Sequence, residues 1–292
     1  MVAATHSEVH QRDLRTEHSL YFRKACRLGN IAMETMGGTC VVLPTYNEAG
    51  SIEEVLRRLR TALPSATLLI VDDGSPDGTA DIAETCGREL GSTSVLRRPG
   101  KLGLGSAYRD GLRWADAHGH EVAIAMDSDL SHEPEATPHL AAALKDERVM
   151  LAVGSRYIPG GGTADWSRSR HALSRAGNAY VRLVLGLPTR DATSGFRAYR
   201  LSALRSIGID TLVSEGYTFQ VEAVHSTVQA YGESSVVEVP ITFRERAAGQ
   251  SKMSLRIASE ALRRVTSWAI QDRLLASRRS RRARRRTPSE RQ

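Results

Sequence analysis

Two short apolar segments, each followed at once by acidic residues, constrain the fold of this chain more than any other feature. The segments are Leu68–Val71 and Val122–Met126, and the acidic residues that follow them are Asp72, Asp73, Asp127 and Asp129. Uninterrupted apolar runs of roughly four to eight residues are typical of strands buried on both faces of a parallel sheet. Ligands of open α/β sheets bind beyond the carboxyl ends of such strands. The sequence therefore predicts a binding edge that carries both groups of acids.

The spacing of the second acidic group indicates a metal ion. Asp127 and Asp129 are separated by Ser128, so two carboxylates can face one cation. Mg²⁺ and Mn²⁺ prefer oxygen ligands, and Mg²⁺ is commonly held by only one or two carboxylates together with substrate phosphates. A divalent metal (Mg²⁺ or Mn²⁺) and a nucleotide are therefore the first expectation for this edge.

From Thr39 onwards the apolar pattern alternates between strand and helix. The predicted strands are 40–43, 68–71, 95–97, 122–126 and 149–154, and the predicted helices are 51–63, 78–90, 105–118 and 134–144. Repeated βα units of this length predict an α/β fold, Rossmann-like, with a mostly parallel sheet and helices on both faces. Beyond Pro159 the pattern weakens. Helices are predicted at 171–185 and near 217–231 and a strand at 235–240, with irregular chain up to about Gly216.

The pattern divides the chain into four parts. Residues 1–38 lack sustained periodicity and are predicted to be a disordered extension, and 39–252 are predicted to form the globular domain. Residues 253–276 place apolar side chains at helical spacing between arginines, which predicts an amphipathic helix that either lies at a membrane interface or packs on the globular domain. The Arg-rich residues 277–292 are predicted to be a disordered tail.

The net charge of +7 is located in the last residues of the chain, where eight arginines and one glutamate lie between 278 and 292. Such a tail is either solvated or bound to an anionic membrane surface. A nucleic-acid partner is not expected, because aromatic residues form only 5% of the chain and none lie among these arginines. Three cysteines without C-x-x-C spacing favour a cytoplasmic protein, and apolar runs far shorter than the roughly 20 residues of a membrane span argue against a protein that crosses a bilayer. The amphipathic segment and the Arg-rich tail are compatible with a protein that is peripheral at a membrane.

Eight motifs then occur in order over about residues 39–256. They are PTYNE, DDGSPDGT, KLGLGSAY, DSDLSH, GSRY, DATSGFR, EGYTFQVE and FRERAAGQSK. Together they resemble the family 2 glycosyltransferases, and within that family the dolichol-phosphate and polyprenol-phosphate mannose synthases. The resemblance implies a GT-A fold, GDP-mannose as donor, a divalent metal and a polyprenyl (dolichyl-type) monophosphate as acceptor. It also implies transfer with inversion, which gives a β-mannosyl phosphopolyprenol and GDP.

The same resemblance assigns the donor side. The nucleoside is expected to contact Pro44, Tyr46, Glu48 and Asp72, and the diphosphate and its metal are expected to face Asp127, Ser128 and Asp129. Ser131 completes the expected metal set at a position where related synthases often have glutamine. Arg246 and Lys252 are expected to lie on a loop that closes over the diphosphate. Asp129, Arg156 and Lys252 are the expected catalytic residues.

The acceptor side follows from the later motifs. By resemblance, Arg156, Arg170 and Ser174 hold the acceptor phosphate, and the four-residue spacing of the last two puts them on one helix face. A phosphate monoester has its second pKa near 6, so the attacking oxygen is ionised without a strong base. His132 is therefore expected to be structural. Asp191, Gln220 and Glu222 lie in matched motifs and either orient the sugar or support the loop.

Two other glycosyltransferase functions are alternatives to this one. A UDP-glucose-dependent polyprenyl-phosphate glucosyltransferase would share most of these motifs and stays open. A processive polysaccharide synthase is disfavoured, because the chain lacks a QxxRW motif and apolar segments of membrane-spanning length. A membrane-anchoring partner protein also stays open as a means of recruitment.

Overall fold

Seven strands form the central sheet of the computed structural model, which describes residues 38–245 and 262–274. The strands of these ranges are β1 (Thr39–Thr45), β2 (Thr67–Asp72), β3 (Thr93–Arg97), β4 (Val122–Ala125), β5 (Leu151–Ser155), β6 (Gly162–Thr163), β7 (Arg197–Arg200), β8 (Val236–Pro240) and β9 (Thr242–Phe243). The sheet order is β3-β2-β1-β4-β7-β5-β8, and β6 pairs with β9 in a separate small sheet. All neighbours in the large sheet are parallel except β7, which is antiparallel to both β4 and β5. The predicted α/β class with a mostly parallel sheet is confirmed.

Helices cover both faces of this sheet. They are α1 (Ile52–Ala62), α2 (Thr79–Leu90), α3 (Leu104–Ala117), α4 (Thr137–Ala143), α5 (Arg168–Leu185), α6 (Leu201–Ile207), α7 (Tyr217–Tyr231) and α8 (residues 262–274). Successive side chains of a strand point to opposite faces, so Val42 packs with α3 and α7 while Val41 and Leu43 pack with α1, α2 and α4. Two buried clusters result, one on each face, and α5 and α8 belong to the same side as α3.

The prediction of irregular chain between 186 and 216 is wrong, because this segment contains β7, α6 and a short 3₁₀ helix. Two of the four residues of β7 are arginines, and Arg197 is completely buried. Its guanidinium donates hydrogen bonds to the backbone carbonyls of Ala192, Ser194 and Gln220 at 2.6, 2.7 and 2.5 Å. Apolar periodicity does not reveal a core strand whose buried side chain is a cation.

The strand directions gather the site at one edge. Strands β1, β2, β4 and β5 all end there, and β7 begins there because it runs the other way. Asp72 is the last residue of β2, Asp127 and Arg156 follow the ends of β4 and β5, and residues 191–196 lead into β7. This is the edge at which the sequence predicts binding.

Helix α8 lies inside the predicted amphipathic segment 253–276. Val265 and Ala269 are its buried residues, and the Trp268 ring stacks on His225 of α7 at a centroid distance of 5.8 Å. The rest of that segment, both chain ends, and Arg246 and Lys252 lie outside the described residues. Within 38–245 and 262–274, no helix combines the length and the apolar character needed to cross a membrane.

Candidate functional site

Asp72 is the last residue of β2, and its relative solvent exposure is only 2%. Its Oδ1 accepts from the hydroxyls of Thr45 (3.3 Å) and Ser75 (2.5 Å), and its Oδ2 accepts from the backbone N–H groups of Gly74 (3.1 Å) and Ser75 (2.9 Å). These four bonds use the acceptor capacity of the carboxylate and fix the turn after β2. The contact between Asp72 and the nucleoside stays a prediction. It requires that one of these four hydrogen bonds be broken.

Asp73 anchors the neighbouring loop instead of facing solvent. It forms a buried ion pair with Arg98, and its Oδ2 accepts from the backbone N–H of Gly103 at 3.2 Å. This segment carries Lys101, whose Nζ lies 4.0 Å from the centre of the Tyr46 ring. The ring that the motifs assign to the nucleoside therefore already carries a cation on one face.

Hydrogen bonds join the segment that contains Pro44 and Glu48 to the loop after β4. The Ser128 hydroxyl donates to the carbonyl of Pro44 at 3.1 Å. The Ser51 hydroxyl lies 2.8 Å from the Ser128 carbonyl and 3.2 Å from Oε2 of Glu48, at the start of α1. Pro44, Glu48 and Ser128, all expected at the donor site, thus belong to one connected network.

Asp127 is the more accessible of the two carboxylates after β4, with a quarter of its side chain exposed (25%). The Tyr108 hydroxyl donates to its Oδ1 at 3.0 Å, and the Tyr108 ring stacks on Phe219 at 5.7 Å. Burial, followed by the charge of Asp127, raises the pKa of Tyr108 well above its usual value, so this phenol stays protonated and remains a donor. Tyr108 orients a residue that the motifs assign to the metal.

The donor set of this loop fits a hard divalent cation. Asp129 is buried, and its Oδ1 accepts from the backbone N–H of Ser131 at 3.0 Å. The hydroxyl of Ser131 is also buried and has no hydrogen-bond partner within 38–245 or 262–274. The described ranges contain no group of three or more His, Cys, Asp or Glu residues suited to a metal. Two carboxylates and one hydroxyl leave coordination positions for phosphate oxygens, which is how Mg²⁺ is commonly bound.

His132 closes the turn that carries Asp127, Asp129 and Ser131. It is buried, and its Nδ1 accepts from the backbone N–H of Asp127 at 3.3 Å. Its ring stacks on Phe196 at 5.0 Å and meets the edge of Phe243 at 5.2 Å. Burial lowers the pKa of His132, so the ring is neutral at pH 7. The packing agrees with the structural role expected for this residue.

Arg156 and Asp191 form a buried, bidentate ion pair in the region that the motifs assign to the acceptor. The Nε and Nη2 atoms of Arg156 donate to the two oxygens of Asp191, both at 2.7 Å, and the backbone N–H of Arg156 adds a bond of 3.0 Å. The side chains are only 8% and 0% exposed. The structure thus places Asp191 on Arg156, and it fixes the plane of a guanidinium that the motifs assign to the acceptor phosphate.

Arg170 and Ser174 lie one turn apart near the start of α5, which Ser167 caps by accepting from the Arg170 N–H at 3.3 Å. The Arg170 guanidinium pairs with Glu245 at 2.5 Å, and the Ser174 hydroxyl accepts from Tyr157 at 2.6 Å. The expected acceptor residues are thus brought together around two aromatic side chains, since Trp166 contacts both arginines. The Arg156 and Arg170 guanidinium carbons lie 5.4 and 4.2 Å from the centre of the Trp166 ring.

Gln220 and Glu222 face the interior from α7. The backbone N–H of Ser214 donates to Glu222 at 2.9 Å, and the Tyr199 hydroxyl donates to Gln220 at 3.4 Å. The amide of Gln220 and the carboxylate of Glu222 therefore contact neighbouring segments of the domain, and both side chains are buried.

Sequence reasoning missed three residues of this neighbourhood: Lys101, Tyr108 and Trp166. The first two occur in the KLGLGSAY motif, and Tyr108 follows Leu104 by one helical turn. Trp166 is a lone aromatic residue between a Gly-rich stretch and an Arg-Ser segment, and this isolation is the only local signal that it carries.

Comparison with known proteins agrees with this architecture. The family model of glycosyl transferase family 2 matches residues 40–208. An undecaprenyl-phosphate mannosyltransferase of Micrococcus luteus is 46% identical over 229 residues, which cover 78% of this chain and 93% of the relative. A polyprenol monophosphomannose synthase of Mycolicibacterium smegmatis is 41% identical over 237 residues, covering 81% of this chain and 88% of that protein.

A solved structure extends the agreement to the fold. Glucosyl-3-phosphoglycerate synthase of Mycobacterium tuberculosis, solved with Mn²⁺, UDP-glucose and phosphoglyceric acid, superposes with a TM-score of 0.61 at 21% identity and covers 84% of this chain and 82% of that one. This likeness confirms the GT-A fold. Together with the two relatives and the family model, it shows that the chain belongs to glycosyl transferase family 2.

Proposed function

We propose that this protein transfers mannose from GDP-mannose to a polyprenyl monophosphate, with inversion, and so produces a β-mannosyl phosphopolyprenol and GDP. One observation carries the proposal: the carboxylates after β4 lie at the same sheet edge as Arg156, and Arg156 shares the Trp166 ring with Arg170. The names of the two curated relatives support mannose as the sugar and a prenyl phosphate as the acceptor. The ordered motifs support GDP as the nucleotide.

The chemistry requires little proton transfer. The acceptor phosphate is already ionised at neutral pH, so its oxygen attacks C1 of mannose while the bond from C1 to the diphosphate oxygen breaks. No proton has to leave the nucleophile, which fits a site where His132 is buried and neutral. The protein supplies orientation: Arg156, Arg170 and Ser174 hold the nucleophile, and the loop after β4 holds the leaving group.

Asp127, Asp129 and Ser131 are the residues that would hold the divalent metal, Mg²⁺ or Mn²⁺. When bound, such an ion neutralises negative charge on the departing diphosphate. Arg246 and Lys252, which lie outside the described residues, are proposed to add positive charge to the same diphosphate.

A transfer assay tests the proposal. The purified full chain is incubated with Mg²⁺ or Mn²⁺, a prenyl phosphate, and either GDP-mannose or UDP-glucose, each labelled in the sugar. Labelled mannosyl lipid that forms only from GDP-mannose, with β configuration by NMR, is the expected result. Glucosyl lipid from UDP-glucose in place of mannosyl lipid would replace the proposal by the alternative donor.

The protein is further proposed to work as a peripheral enzyme at the cytoplasmic face of an anionic membrane, where its lipid acceptor resides. Helices α5 and α8 adjoin, with a 2.8 Å hydrogen bond between the hydroxyls of Tyr180 and Thr266. Leu183 of α5 and Ile270 of α8 are 81% and 53% exposed. Exposed apolar side chains beside arginines are typical of helices that lie in a membrane interface.

Replacing both Leu183 and Ile270 by glutamate is expected to weaken binding to vesicles with 30% anionic lipid, with a loss of about tenfold in the partition coefficient. The lost burial of two apolar side chains and the added negative charge both act in this direction. Thr61→Glu combined with Thr85→Glu is the matched control, because it adds two glutamates at exposed positions of α1 and α2 on the opposite face of the sheet. Equal binding of wild type and double variant in a sedimentation assay would remove this surface from the proposal.

A further inference from the structure

Trp166 contacts both arginines that are proposed to bind the acceptor phosphate. Its ring centre lies 4.2 Å from the guanidinium carbon of Arg170 and 5.4 Å from that of Arg156. Its edge packs on Phe243 of β9 with centroids 5.5 Å apart. Among the described residues its indole Nε1 is buried without a hydrogen-bond partner. The indole is therefore fixed by packing, and its π-face is turned to cations.

The two arginines are held in different ways. Arg156 is buried and locked on Asp191, so its position does not depend on the indole alone. Arg170 pairs with Glu245, but the two side chains are 31% and 50% exposed. An ion pair this exposed contributes little and is readily exchanged. The stacking on Trp166 is thus the contact that fixes the direction of Arg170 when Glu245 releases it.

An aromatic face is well suited to this task. Arg156 already has Asp191 as a buried counter-ion, and a buried carboxylate in place of the indole would compete with the incoming phosphate for the N–H donors of Arg170. An indole attracts a cation by its quadrupole and leaves the N–H donors of the guanidinium available. Ordering a flexible arginine before the ligand arrives also removes part of the entropy cost of binding.

We propose that Trp166 is a positioning residue for the acceptor, and that it holds Arg170 beside Arg156 so that a phosphate monoester meets two preoriented cations. The inference rests on the proposed function, because it takes Arg156 and Arg170 as the acceptor-phosphate ligands. It concerns binding of the acceptor and leaves donor binding to the loops after β1, β2 and β4.

The test compares Trp166→Leu, Trp166→Phe and Arg170→Ala in steady-state transfer to a short-chain prenyl phosphate. Leucine keeps an apolar packing surface but has no π-face, so it is expected to raise the KM for the acceptor about tenfold while the KM for the donor stays within twofold. Phenylalanine keeps the π-face and is expected to restore most of the affinity. Trp114→Leu on α3 is the matched control and is expected to leave the acceptor KM unchanged. Thermal unfolding of each variant establishes that it is folded.

A double variant gives the decisive comparison. Trp166→Leu combined with Arg170→Ala is expected to raise the acceptor KM no further than Arg170→Ala alone, because the indole acts through that arginine. Fully additive effects, or a Trp166→Leu enzyme with a normal acceptor KM beside an impaired Arg170→Ala enzyme, would overturn the role of Trp166. If Arg170→Ala itself leaves the acceptor KM unchanged, the proposed acceptor site is wrong and the inference is rejected with it.

Discussion

An Asp129→Asn enzyme is expected to lose transfer activity by at least about a thousandfold in kcat/KM, which corresponds to roughly 4 kcal/mol of transition-state stabilisation. The asparagine side chain has the same shape, and its oxygen can still accept from the Ser131 N–H. It lacks the negative charge that is proposed to hold a divalent cation, so charge on the leaving diphosphate would no longer be neutralised. The rates are measured with GDP-mannose and a prenyl phosphate over a titration of Mg²⁺ and of Mn²⁺.

Asp146→Asn is the matched control for this experiment. Asp146 pairs with Arg148 at 2.7 Å on the surface, in the loop that precedes β5 and hence at the sheet edge opposite the site. The same change of carboxylate to amide is expected to leave kcat/KM unchanged there. Full activity of Asp129→Asn at saturating metal would contradict the assignment of Asp129 to the metal and diphosphate.

Removal of the Asp191 carboxylate is expected to destabilise the protein by about 3–5 kcal/mol, because Asp191→Ala leaves the buried Arg156 guanidinium without its counter-ion. Two charge-assisted side-chain bonds and one backbone bond are lost at once. Urea unfolding followed by circular dichroism measures the change in the free energy of unfolding. A loss below about 1 kcal/mol would show that water or another group compensates Arg156 in the folded protein.

A second substitution separates the stability effect from the functional one. Arg156→Met in the Asp191→Ala background removes the uncompensated charge, and apolar replacement of a whole buried pair is often close to neutral in stability. The double variant is therefore expected to recover most of the lost free energy of unfolding. Acceptor affinity should stay low, because the arginine proposed to bind the phosphate is gone. Recovery of both stability and acceptor affinity would contradict a role for Arg156 at the acceptor.

The part of the sheet edge formed by β1, β2 and β4 could be predicted from the sequence, because these strands are buried on both faces. Val41, Leu69 and Ile124 lie in strands whose side chains enter one core or the other, so the apolar runs are continuous and the acidic residues stand out at their ends. The predicted strand and helix positions from Thr39 to Gly154 agree with the structure to within a few residues. Parallel βα units are local in sequence, which makes this pattern easy to recognise.

The acceptor half depends on contacts between distant residues. Arg156 and Asp191 are 35 positions apart, and Arg170 and Glu245 are 75 positions apart. The charge of an arginine does not show whether its side chain is buried and paired or solvated. The strand β7 was missed for the same reason, because its buried side chain is Arg197. Resemblance to a family supplied candidate residues here, but the pairing partners and Trp166 required the three-dimensional arrangement.

The antiparallel strand β7 also sets a distance. Arg197 pairs with Ala125 of β4 on one side and with Val153 of β5 on the other. Asp127 and Arg156 follow those partners by two and three residues, so the carboxylate proposed for the donor and the guanidinium proposed for the acceptor follow strands that are two sheet spacings apart, roughly 10 Å. Both strands are hydrogen-bonded to β7, so the framework of the sheet sets the distance between their ends. A different distance between these strand ends would require a different number of strands between them. Substitution of side chains at the edge, in contrast, can change which ligand binds there and leave the distance unchanged.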